Sequence, residues 1–206
     1  MDSRTAINQL KILSKNVKEM RLAAEDWKND YEILISTILS ARTRDEIIIP
    51  VAERLFKKYP NPKSLSEANL RDIKSIIKPV NFYKNKSKNI IKCSKMLVEK
   101  YNSKVPHDFD KLIELPGVGR KTANVFLAEH GKHALPVDTH VFYISRKLGW
   151  AKGNNPHKVE EELRKLFPKK YWNRINSVLV RFGKTHTSRK KKDEILDEIK
   201  RGSWNT

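Results

Sequence analysis

Cysteine is almost missing from this chain: Cys93 is the single one among 206 residues. One thiol excludes an internal disulfide framework, a thiolate zinc cage and a four-cysteine iron–sulfur site. It also suits a reducing compartment, and the expectation is an intracellular protein. Long hydrophobic runs are missing too. The longest, Ile47–Ala52, is broken by Pro50 and falls far short of the ~20 residues that cross a bilayer. The stretch Met1–Leu10 has no apolar core of the secretory kind, so neither a leader nor a membrane partner is expected. Runs that alternate apolar and polar residues between hairpin turns do not occur, which argues against a β fold. Acidic residues are few: 24 Asp+Glu stand against 43 Lys+Arg, a formal net charge of +19. Such an excess must face a polyanion, with nucleic acid the first candidate.

The positive charge is concentrated. Residues 84–104 hold seven lysines and a single acid, Glu99, and residues 181–192 hold six basic residues and no acid. Together these segments carry +12 of the +19. Like charges packed this closely repel one another unless a partner neutralises them.

Apolar residues recur with helical period throughout. Ala6, Leu10, Leu13, Val17 and Met20 form one stripe, and Tyr31, Leu34, Ile35, Ile38 and Leu39 a second. Val159, Leu163, Leu166 and Phe167 form a third, and Trp172, Ile175, Leu179 and Phe182 a fourth. Further helices are expected near 45–58, 69–77, 85–100, 108–114, 120–130, 139–148 and 190–200. Short breaks separate them, at Pro60–Pro62, Pro79–Asn81, Pro106, Leu115–Gly119, Gly131–Pro136, Gly149–Pro156 and Pro168. The chain reads as all-α. Composition alone marks no domain boundary.

The break Leu115-Pro116-Gly117-Val118-Gly119 opens directly onto Arg120-Lys121-Thr122-Ala123-Asn124. Glycines two apart permit positive φ and close approach to the backbone. Amide N–H groups at a helix start can grip an anion, and Arg120 and Lys121 add charge there. This describes a clamp for phosphate, which holds a backbone rather than reading a base. Taken alone, the same residues also suit a plain helix–helix turn with a glycine cap.

The longer string Leu115–Asn124, followed by Val137-Asp138-Thr139-His140, closely resembles the helix–hairpin–helix and active-site segments of the endonuclease III family of DNA glycosylases. Ile38–Asp45 resembles that family's first recognition segment, and Phe82–Ile90 its following loop and helix. The resemblance extends over residues 5–186. It implies an all-α, two-lobed fold: a central lobe at about 23–132 with its hairpin at about 108–130, and a second lobe from 1–22 and 133–206, with DNA held in the cleft between them.

The resemblance also implies roles. Base removal passes through a cationic, sugar-centred transition state that a carboxylate stabilises. An amine that attacks C1′ forms a Schiff base and permits β-elimination. Lys121 takes the position of that amine, which in this family marks enzymes joining base removal to lyase activity, and Asp138 takes that of the carboxylate. The amine must be neutral to attack. The helix start and Arg120 are both expected to disfavour the Lys121 ammonium. Asp138 also suits a simple N-cap.

The target base must leave the stack. Phe82 matches an apolar wedge. Arg42 stands where glutamine is frequent, and an arginine there can read guanine acceptors or phosphates; its plainer reading is an ion pair with Asp45 or Glu46. Lys84, Lys86 and Lys184 are the expected phosphate contacts, beside the clamp formed by Leu115, Gly117, Val118, Gly119 and Arg120.

Many members of the family carry a four-cysteine cluster near the C-terminus. Here Thr187 stands near the first ligand position and no cysteine follows. No iron–sulfur cluster and no other metal is expected. The histidines show no metal-like spacing, and His140 is expected to pack. The helix holding Ile195, Leu196 and Ile199, with Trp204 as its cap, is expected to take over the cluster's packing role, and Arg189–Lys192 to reach phosphate. The implied function is a bifunctional glycosylase and AP lyase on double-stranded DNA with damaged bases or abasic sites, with oxidised pyrimidines as substrates and a monomer as the working form. The rivals are a glycosylase for uracil or thymine mismatched with guanine or for oxidised purines, and a non-catalytic DNA-binding module.

Overall fold

Capping chemistry sets the helix boundaries. The computed structural model describes residues 1–203, and within them the chain is all-α, with no strand. Asparagine, aspartate or serine side chains accept the first free amides of eight of the helices below, as Asn29 does for Glu32 and Asp108 for Lys111. Two compact units result, Arg21–His130 and Met1–Met20 with Gly131–Thr206.

The first unit contains α2 (Asp30–Ser40), α3 (Asp45–Lys58), α4 (Pro62–Ser66), α5 (Leu70–Ile76), α6 (Tyr83–Tyr101), α7 (Phe109–Glu114) and α8 (Arg120–Glu129). Helix α2 is apolar almost all round and packs against α3, α6 and α8. This explains why Leu34, Ile35, Ile38 and Leu39 are all buried. Helix α4 falls in the break expected at Pro60–Pro62. It is too short to show a period, but Asn61 and Ser64 form a capping box and Pro62 pre-sets its first turn. Cys93 packs on the buried side of α6, and burial pushes its thiol up to about 12. It behaves there as a small apolar residue, as expected.

The second unit contains α1 (Ser3–Lys15), α9 (Thr139–Leu148), α10 (Pro156–Leu166), a 3₁₀ turn at Lys169–Tyr171, α11 (Trp172–Thr185) and α12 (Arg189–Arg201). Helix α1 stops before Val17 and Met20, so the first apolar stripe is not one helix. Its cap Asn16 donates its side-chain amide to the Ile12 carbonyl at 2.8 Å, competing with helix continuation. Helix α9 is central, with α10, α11 and α12 packed on it. His140 meets α11 at Gly183, where an added Cβ would lie 2.1 Å from the imidazole Nδ1. His140 thus has the packing position expected for it.

Helix α12 buries Leu196 and Ile199 against α1 and α9. Lys147 pairs with Asp197 at 2.8 Å, and the Trp150 indole donates to Gln9, which donates to the Ile199 carbonyl. The basic run at its start is only partly exposed. Lys192 is buried, and burial, followed by the nearby Arg189, pulls its ammonium down. Arg189 lies 3.9 Å over the Tyr143 ring. Trp204, expected to cap α12, lies outside the described residues. No helix among the described residues is long and apolar enough to cross a membrane.

Candidate active site

The turn between α7 and α8 uses its glycines differently. Gly117 has φ +86°, and a Cβ there would stand 3.0 Å from Asn89 Cβ and 3.2 Å from Ile38 Cγ2. Both the backbone and the packing therefore demand glycine. Gly119 has φ −100° and open space where a Cβ would be. The turn thus needs only one left-handed glycine. The second leaves the start of α8 uncovered. Leu115 and Val118 are buried, and the Val118 amide already donates to the Leu115 carbonyl at 3.0 Å. Arg120 lies 5.1 Å over the Phe109 ring. Lys121 stands exposed in the first turn of α8.

Arg42 and Phe82 come together at 5.7 Å, guanidinium over ring. Both have left-handed backbone, φ +56° and +61°, which costs a non-glycine residue about 1–2 kcal/mol. Phe82 is 58% exposed although it is a large apolar residue. Core packing therefore does not explain it. Asn81 fixes the pair: its side-chain amide donates to the Arg42 carbonyl at 2.5 Å and its backbone N–H to Thr43 Oγ1 at 3.1 Å. Lys84 is exposed in the first turn of α6.

Lys86 corrects the sequence reading. It is 7% exposed and cannot lie along a phosphate backbone. Its Nζ donates to the carbonyls of Leu39 at 2.7 Å and Ala41 at 2.5 Å, and to Thr43 Oγ1 at 3.4 Å. It thereby caps the C-terminal end of α2, where carbonyls lack helical partners and a positive charge is favoured. Burial pulls its ammonium down to about 8. The sequence did hold a signal: Lys86 lies on the apolar stripe of Ile90, Cys93 and Leu97.

In the other unit Asp138 is half-buried and caps α9, its Oδ1 accepting the Val141 amide at 2.8 Å. The cap reading of this residue is therefore correct, and it leaves Oδ2 for other work. Lys184 is half-buried in the last turn of α11.

The described residues do not fit a four-cysteine iron–sulfur cluster. Position 187 is an exposed threonine, and Cys93 is buried on α6.

Residues 35–169 match the family model for HhH-GPD superfamily base excision DNA repair proteins. The chain is 45% identical over 155 residues to the endonuclease III of Thermotoga maritima, covering 75% of this chain and 73% of that protein. It is 38% identical over 175 residues to the endonuclease III of Rickettsia felis, covering 84% and 82%. A solved structure of a trapped endonuclease III–DNA covalent intermediate superposes with a TM-score of 0.84 at 35% identity, over 91% of this chain and 89% of that one. The chain belongs to the HhH-GPD superfamily and, within it, to the endonuclease III family of base excision repair DNA glycosylases with AP lyase activity.

Proposed function

We propose that this enzyme removes oxidised pyrimidines from duplex DNA and cleaves the resulting abasic site, acting as a monomer and without an iron–sulfur cluster. The observation that carries the reading is Lys121, exposed in the first turn of α8 directly after the Gly117–Gly119 turn. Its neutral amine attacks C1′ of the damaged nucleotide and the glycosidic C–N bond breaks. The base leaves with a proton, and the sugar opens as a Schiff base on Nζ. Loss of a C2′ proton then expels the 3′-phosphate by β-elimination. Asp138 stabilises the developing sugar cation and assists proton transfer through Oδ2, while Oδ1 keeps its cap bond.

Residues of about 23–132 form the hairpin lobe, in which Lys121, Arg42 and Phe82 lie, and residues 1–22 and 133–206 form the second lobe, in which Asp138 lies. Phe82 enters the stack as the wedge and Arg42 fills the space it opens. Gly117, Gly119 and Arg120 hold one phosphate through amides and charge, with the backbones of Leu115 and Val118 shaping the turn. Lys84 and Lys184 hold others. Helix α12 takes over the packing role of the cluster: it is fixed by Leu196, Ile199 and the Lys147–Asp197 pair.

Arg42 also favours a second reading. An exposed guanidinium beside the wedge suits the N7 and O6 acceptors of an orphaned guanine, which points to uracil or thymine opposite guanine. Borohydride trapping on a panel of lesion duplexes tests both. Covalent complex on oxidised pyrimidines, lost in Lys121→Ala, supports the first reading. Base release confined to G-mismatched substrates supports the second, and no trapping on any lesion overturns both. Deletion of residues 190–206 is expected to destabilise the fold; unchanged stability would refute the packing role of α12.

A further inference from the structure

We propose that Asp30, His107 and His130 form a binding site for a divalent metal ion of the zinc type, separate from the residues assigned to catalysis. The three side chains come from the start of α2, the loop before α7 and the C-terminal cap of α8. Their ligand atoms all lie within 4.8 Å of one another. His107 Nε2 is 2.6 Å from Asp30 Oδ2, and His130 Nε2 is 2.9 Å from Asp30 Oδ1.

The charge balance of the cluster depends on which nitrogen of His130 carries a proton. Its Nδ1 lies 2.7 Å from the Phe126 carbonyl oxygen. A carbonyl can only accept, so Nδ1 must be the N–H. In a neutral His130 the lone pair is then on Nε2, and it faces a carboxylate oxygen that also only accepts. Two acceptors at hydrogen-bond distance repel, so the site calls for a positive centre between them. A proton on Nε2 is one answer. However, that proton serves a single pair of atoms and sets an imidazolium only 4.3 Å from the His107 ring. One divalent ion serves Oδ1, Oδ2 and both Nε2 atoms together. The Nδ1–H to carbonyl bond is also the outer contact that orients a metal-binding histidine.

Two imidazoles and a carboxylate suit zinc, with solvent completing the shell on the exposed side at His107. Ligand atoms around a tetrahedral zinc stand about 3.3 Å apart, so the rings must withdraw by about half an ångström from their present hydrogen-bond distances. His107, on a loop and with 38% of its side chain exposed, is the ligand with the most room to do so. The spacing in sequence hides this site because its ligands lie in three separate segments.

The test uses tag-free protein treated with chelator and titrated with zinc chloride in a calorimeter, with thermal unfolding followed in parallel. One equivalent of zinc is expected to bind, and the unfolding temperature to rise. His107→Ala, an exposed substitution, is expected to weaken binding at least about tenfold, and Asp30→Asn likewise, with both variants folded by circular dichroism. Cobalt is expected to give the visible absorption of a tetrahedral site in the wild type and not in His107→Ala. Zinc uptake unaffected by His107→Ala, or abolished instead by changing His157, which stands 3.2 Å from Glu161 on α10, would overturn the proposal. So would failure of the wild type to bind, with His130 protonated on both nitrogens by NMR; a proton then fills the site.

Discussion

Beside the candidate site, the hairpin-bearing unit sustains left-handed backbone in two different ways. At Gly117 the chain uses glycine, with Ile38 and Asn89 filling the space a Cβ would need. At Arg42 and Phe82 it uses large side chains in the same backbone region; Lys86 and Asn81 donate to the surrounding carbonyls, and Thr43 Oγ1 accepts the Asn81 N–H. Where only the backbone is wanted, the strain is avoided; where a side chain must be presented, the strain is kept and offset by a buried cation. The difference marks Arg42 and Phe82 as residues whose side chains matter.

The comparison breaks most sharply at Lys86. Lys86→Met leaves buried carbonyls without a donor and is expected to cost about 2–4 kcal/mol in urea unfolding. It is also expected to slow base removal, since Arg42 loses its support. Gly117→Ala is expected to cost about 2 kcal/mol from left-handed strain and the close contact with Asn89. DNA affinity, read by fluorescence anisotropy, is expected to fall with it.

A smaller effect follows from the Lys86 ammonium, held near 8 against an ordinary value of 10.5. Above pH 8 the folded chain gives up this proton while the unfolded chain keeps it. Stability from this group therefore rises with pH, by at most about 1.4 kcal/mol per unit. Cys93 acts oppositely from pH 9 upward, because the unfolded thiol ionises first. Comparing wild type with Lys86→Met between pH 8 and 9.5 isolates the lysine; identical slopes would refute this account. The smallest change is expected at Gly119→Ala. Its open position and ordinary φ leave stability within about 0.5 kcal/mol, while the added methyl group lowers DNA affinity by crowding the helix start.

Much of this was legible in the residues. The apolar stripes of α2, α10 and α11 and the Gly117–Lys121 string stand out because their signal is local, in period or in motif. What stayed hidden depends on distant partners. Lys86 reads as one more lysine in a basic segment until Leu39 and Ala41, more than forty residues earlier, come to it. Asp30 and His107 are 77 residues apart, and no spacing rule connects them. Helix α4 is set by capping rather than period, and α1 ends early because one asparagine competes with its backbone.

The burial of Lys86 bears on chemical selectivity as well as shape. A ring-opened abasic sugar is an aldehyde, and it condenses with whichever amine is deprotonated and within reach. An ammonium drawn down to about 8 would be a ready competitor among the lysines of α6. Fastened to Leu39 and Ala41 beneath the surface, that nitrogen is withheld from aldehydes and acylating reagents alike. Peptide mapping after reductive labelling should therefore recover Lys86 unmodified while its exposed neighbours carry the tag.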